Sequence, residues 1–291
     1  MNRIVLAITT DRHAGNKMGL MNPDVELFAE DEEGNLVGWR PNPTPVQDFL
    51  WNLEQDNLDY AIDLTKGDDL VIIDLGDQTH GQDHSEGLIS TRLADQWLIA
   101  KANWEPWYRL SNLRATYMVA GTGVHEAGEG SAMIAIASAM QAQYPRVQTT
   151  PLYHGLLEIA GIRIDCAHHG PMPGRYKHLA GNVATWYLRD LMITELIDGN
   201  IPPDLVFRGH YHEYTPIDWR IESKGRWYKS SLVVAPGMSL LRQCDYVRKV
   251  TRSGHKTTVG MLFYEIIDGN IIEHPRVQVR DIRTKVVLYG E

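Results

Sequence analysis

Twelve histidines are spread over 291 residues, and most fall in short groups beside carboxylates or one another. Asp11 and His13 flank a single arginine. Asp77 and His80 form a second group, and His125 stands next to Glu126. His168 and His169 are adjacent, while His210 and His212 flank Tyr211. Imidazole and carboxylate donors without thiolates suit borderline divalent cations such as Mn, Fe or Zn. The Asp-x-His and His-x-His spacings let two side chains turn towards one point where a backbone leaves a strand. One carboxylate can bridge two cations about 3.5–4 Å apart, a separation that serves phosphoryl chemistry. Cys166 and Cys244 are too few for a thiolate zinc site or a disulfide framework. They read as buried thiols of a reducing, cytoplasmic compartment.

Such groups need elements that gather them. Apolar, β-branched runs predict strands at Arg3–Thr9, Leu70–Leu75, Ala115–Ala120, Ile162–Ala167 and Leu205–Arg208. Each runs into one of the groups: Asp11/His13, Asp77, His125, His168/His169 and His210/His212. In open α/β sheets, ligands bind beyond the carboxyl ends of the strands, so the five groups are expected to converge in one cleft. Thr44-Pro45-Val46-Gln47 has the form of a capping box with proline in the first turn, and opens a helix. Further helices are predicted over about Thr91–Trp107, Ser131–Gln143 and Asn182–Asp198. Residues 14–43 read as a polar insertion carrying a solvent-facing hairpin, Glu26–Ala29 against Leu36–Trp39. The last third reads as all-β, with turns at Lys224-Gly225 and Asp268-Gly269-Asn270. Strand–helix alternation followed by strands predicts an α/β fold, with one mixed sheet or two sheets, in a single domain over 1–291.

Composition narrows the function. A net charge of −9 disfavours a broad phosphate-binding surface, so nucleic acid is a partner that the charge does not indicate. No apolar run approaches the roughly 18 residues of a membrane span. Gly121-Thr122-Gly123-Val124-His125-Glu126 begins like a dinucleotide fingerprint but ends in Glu and follows the third strand rather than the first, which argues against a nucleotide cofactor. Met133, Met140, Trp97, Trp104 and Trp107 read as packing residues.

The ordered set Asp11-x-His13, Gly76-Asp77, the glycine-rich turn with His125-Glu126, His168-His169 and Gly209-His210-x-His212 resembles the calcineurin-like metallophosphoesterase family. The resemblance spans residues 11 to 212. It implies a four-layer fold, two mixed β-sheets packed as a sandwich and flanked by helices. It also implies two divalent ions: one held by Asp11, His13 and His212, the other by His168 and His210, with Asp77 between them. His125 would stand near the substrate as proton donor or transition-state stabiliser. The implied activity is hydrolysis of a phosphate ester, with a lean towards diesters. Other readings on the same frame are a non-catalytic binding or scaffold protein and a DNA-directed nuclease.

Two departures from the family pattern stand out. The third motif usually carries a ligating Asn before the His, and Val124 occupies that place. Either Thr122 supplies an oxygen instead, or the second site is one ligand short. His80 stands where the second motif usually has Asp or Asn, and reads as a contact behind the ligands or to substrate. His168, first after its strand, is preferred over His169 as ligand. Arg175, beyond that turn, is a candidate phosphate contact.

Overall fold

The computed structural model describes residues 3–83, 85–128, 130–172, 181–241, 256–281 and 283. The candidate phosphate contact Arg175 and the thiol Cys244 lie outside the described residues.

The strand runs with the strongest apolar character pair in parallel at the centre. Strands β1 (Arg3–Thr9), β4 (Asp69–Asp74), β5 (Leu113–Val119) and β6 (Gln148–Leu152) are parallel neighbours. The antiparallel pair β12 (Lys256–Ile267) and β13 (Asn270–Asp281) extends them into a six-stranded sheet. A five-stranded sheet has the order β10 (Thr215–Ser223), β11 (Arg226–Val234), β9 (Leu205–Arg208), β8 (Ile162–Ala167) and β7 (His154–Ile159). Both sheets are mixed. The small third sheet is the expected hairpin, β2 (Leu27–Glu30) with β3 (Leu36–Trp39).

Strand alternation sets the layers. Leu6 and Ile8 of β1 pack with Ile164, Cys166, Phe207 and Val233 in a core between the two large sheets. Val5 and Ala7 point the other way, into a second core under α1 (Pro45–Thr65), α2 (Leu93–Tyr108) and α3 (Ser131–Gln143). On the far side, α4 (Asn182–Ile197) buries Ala184, Leu188 and Met192 against Val206, Leu232 and Val234. The result is the expected sandwich flanked by helices. Thr44 caps α1, with Gln47 completing the capping box.

Tight two-residue turns join three hairpins: Ala160-Gly161, Lys224-Gly225 and Asp268-Gly269, with both residues of each at positive φ. Such turns match strand twist and favour Gly at the second position.

Two expectations need correction. The polar insertion expected over 14–43 is not solvated along its first half: Ala14, Leu20, Met21, Val25 and Leu27 are buried in the helix-side core. Their apolar residues follow no helical or strand period, so the segment reads as polar loop in sequence. The exposed part begins at Phe28. Strand β6 was not expected: it is short, polar and carries Pro151, and it survives because it lies at a sheet edge. Among the described residues no helix is long and apolar enough to cross a membrane.

Candidate metal centre

The five groups meet at the carboxyl ends of β1, β4, β5, β8 and β9. Backbone pairing carries them there. Asp11 N–H donates to the Gly76 carbonyl at 2.9 Å and His13 N–H to the Asp77 carbonyl at 2.9 Å, continuing the β1–β4 ladder past the strands. Gly209 N–H donates to the His168 carbonyl at 2.9 Å, extending β8–β9 in the same way. His210 N–H donates to Asp11 Oδ2 at 3.0 Å and ties the two sheets together. Gly209 must be glycine, because a Cβ there would stand 2.4 Å from Thr10 Oγ1.

Asp11, His13, Asp77, His210 and His212 all have positive φ, between 46° and 73°. The left-handed region costs a non-glycine residue roughly 1–2 kcal/mol. Strain of this kind clusters at functional sites. Here it turns consecutive side chains off the strand ends towards one centre.

Asp77 Oδ2 stands at that centre. It lies 3.2 Å from His168 Nε2, 3.8 Å from His13 Nε2 and 3.9 Å from His125 Nε2. Asp11 Oδ1 lies 3.2 Å from His212 Nε2 and 3.7 Å from His13 Nε2. Thr122 Oγ1 sits 3.2 Å from His168 Nε2, 3.3 Å from His210 Nδ1 and 3.4 Å from Asp77 Oδ2. The donor atoms of Asp11, His13 and His212 cluster within 4.8 Å of one another, as do those of Asp11, Asp77 and His168, and those of His168, His169 and His210.

The outer nitrogens of the rings are held from behind. His168 Nδ1 lies 2.7 Å from the Leu75 carbonyl, His125 Nδ1 lies 2.6 Å from the His80 carbonyl, and His212 Nδ1 lies 3.3 Å from Ser239 Oγ. A carbonyl accepts only, so His168 and His125 carry their protons on Nδ1 and turn Nε2 inward. His80 Nδ1 lies 3.4 Å from His13 Nδ1, which makes His80 a buried support behind a ligand. His169 is exposed, and its ring packs 4.7 Å from that of His210. Its neighbour His168 is buried and faces the carboxylate.

Electrostatics fit a cation-binding centre. Burial opposes ionisation of Asp11, but His212 and His13 hold it well below the usual carboxylate range. Burial likewise opposes Asp77, and His168 pulls its pKa down. Burial lowers His13 and His210 to about 4. His168 is burdened by burial yet raised to about 9 by Asp77. Two atoms aimed inward, Asp11 Oδ1 and His13 Nε2, are buried without a hydrogen-bond partner. Buried polar groups are normally paired, and a divalent cation would satisfy both. The buried His/Asp clusters can therefore hold a metal ion.

No sequence motif marks several of the supports: Thr10, whose hydroxyl donates to Asp11 Oδ2 at 2.7 Å, the Leu75 and His80 carbonyls, and Ser239. Glu126 was noted only as part of its motif. It accepts from Gly121 N–H at 3.2 Å and Met133 N–H at 2.8 Å, pinning the 121–126 turn to α3. Behind the ligands, buried Arg12 pairs with Glu54 at 2.8 Å and lies 3.7 Å from Asp74.

No protein-family model matches this chain, and no curated protein matches it either.

Proposed function

We propose that this chain is a dinuclear-metal-dependent phosphoesterase, related to the calcineurin-like metallophosphoesterases, that acts on phosphodiesters. The observation that supports this most is the Asp77 carboxylate standing between two histidine sets, with Asp11 Oδ1 and His13 Nε2 buried without a hydrogen-bond partner beside it. Asp11, His13 and His212 would hold one ion. His168, His210 and Thr122 would hold the other, and Asp77 would serve both. Nitrogen and oxygen donors of this kind suit Mn, Fe or Zn. When bound, such ions supply Lewis-acid polarisation of phosphoryl oxygens and a more acidic water.

The chain's own residues do the rest. His125 keeps Nδ1–H on the His80 carbonyl and presents Nε2 to the cleft. It would protonate the leaving oxygen, a role typically worth about 10²–10⁴-fold. Thr122 supplies a neutral oxygen where the family pattern has an amide, and its contacts to both His168 and His210 favour a complete second site over a site one ligand short. The near-complete ligand set disfavours a scaffold role, and the net charge of −9 disfavours a DNA-directed nuclease.

The test is metal content and turnover. The chain reconstituted with Mn, Fe or Zn should carry two equivalents and cleave an aryl phosphodiester faster than the matching monoester. A chain that binds no metal, or binds it and turns over neither ester, overturns the reading.

A further inference from the structure

Helix α4 has two apolar faces. Ala184, Leu188 and Met192 are spent on the sheet. Val183, Trp186, Ile193 and Ile197 are 50%, 65%, 39% and 78% exposed. With exposed Asp190 they follow the alternating three- and four-residue spacing of a coiled-coil seam. The seam spans about four helical turns, roughly 21 Å. Contiguous exposed apolar rows of this kind mark interaction sites.

The row is close to symmetric about the Arg189–Asp190 pair. An antiparallel copy of the same helix, centred between those two residues, sets Trp186 against the partner copy's Ile193 and Arg189 against the partner copy's Asp190, with Val183 one residue out of register with the partner copy's Ile197. The charges are also self-complementary. Asp190 has no ion-pair partner among the described residues. Arg189 lies beside it, with its guanidinium 4.6 Å from both the Trp186 and Trp219 rings. In the antiparallel register two Asp190 carboxylates and two Arg189 guanidiniums meet around the axis with no net charge. The Trp219–Arg189–Trp186 stack also holds an exposed tryptophan in place before any partner arrives, and pre-ordered aromatic anchors are what strong interfaces use.

We infer that the outward face of α4 is a twofold homodimer interface, in which two copies of this chain pack α4 against α4 antiparallel about the Arg189–Asp190 pair. The interface lies on the helix layer outside the five-stranded sheet and does not depend on the metal-centre reading.

Sedimentation of the full chain at high micromolar concentration should give twice the 33.0 kDa chain mass. Ile193→Glu should return it to a monomer, with the parent's melting temperature at dilutions where the parent is itself dissociated, since Ile193 is outside the cores. Asp190→Arg should weaken association by about tenfold or more, and Asp190→Arg combined with Arg189→Asp should recover most of it. Asp190→Cys should cross-link two copies under mild oxidation. Val183→Cys alone should not, but Val183→Cys mixed with Ile197→Cys should. A monomer at high micromolar concentration, a dimer indifferent to Ile193→Glu, or a dimer in which Asp190→Cys fails to cross-link overturns the inference.

Discussion

His125 Nδ1 lies 2.6 Å from the backbone carbonyl of His80, on a different loop. The clasp is mutual, because Thr79 Oγ1 donates to the His125 carbonyl at 2.5 Å. The two loops are pressed together, and a Cβ on Gly81 would meet the Val124 carbonyl oxygen at 1.9 Å. The orientation of His125 is therefore set by the loop after β4 rather than by its own. His125→Gln should keep both metal equivalents while turnover falls by about 10²–10⁴-fold. Thr79→Val should give a smaller loss in kcat with KM unchanged, and Thr79→Ser should restore it. Steady-state kinetics with metal analysis on the same samples reads both.

Asp77 faces His13, His125 and His168 at once. Asp77→Asn keeps the shape but removes the charge that both ion sites share. Metal content should fall from two equivalents towards none, with activity falling alongside. Ser239→Ala, which removes the hydroxyl behind His212, should instead weaken one ion by about tenfold and leave the other. Calorimetric metal titration separates the two patterns.

Thr122 Oγ1 lies within hydrogen-bond reach of His168 and His210. Thr122→Val is nearly isosteric and deletes the oxygen. It should weaken the second ion by about 10–100-fold and leave the first intact. Equal loss of both ions would place Thr122 outside the ligand set.

Arg12 sits between Asp11 and His13 in sequence yet points away from them, 1% exposed, with its guanidinium 4.2 Å over the Trp104 ring. Glu54, its ion partner, also accepts from Trp107 Nε1 at 2.7 Å. Breaking a buried pair by removing one partner leaves the other charge stranded, at a cost of about 3–5 kcal/mol. Arg12→Met should lower the unfolding free energy by that order. Adding Glu54→Met should recover part of it, as read by urea unfolding.

The convergence of the His and Asp groups was legible because each follows an apolar run that has to be a strand, and strand direction then fixes where the run ends. The hairpins were legible for a similar local reason, since Lys224-Gly225 and Asp268-Gly269 can adopt the paired positive φ of a tight turn. What was not legible depends on contacts between distant positions. Arg12, Glu54 and Asp74 form one buried group from three elements, and no local pattern marks any of them. Burial of Leu20, Met21 and Val25 follows from a loop tucked beneath helices rather than from periodicity. The positive φ of the ligands is a property of closed geometry and has no sequence signature in Asp or His.

Asp74 carries the pH dependence of this buried group. Burial pushes its pKa up to about 8, against the pull of Arg12. Asp74, protonated at neutral pH, then adds no negative charge beside the Arg12–Glu54 pair. In the unfolded chain Asp74 ionises near its ordinary value of about 3.9. Between about pH 4 and pH 8 the folded state therefore binds a proton that the unfolded state has released, so stability falls as pH rises across that window. Asp74→Asn imitates the protonated carboxyl and can still accept from Gly76 N–H, which donates to Asp74 Oδ1 at 2.8 Å. The variant should lack this part of the decline, and its advantage over the parent should grow steadily from pH 5 to pH 8. Urea unfolding of both proteins without metal, at several pH values, checks this. Parallel stability curves for the two would mean that Asp74 is ionised in the fold.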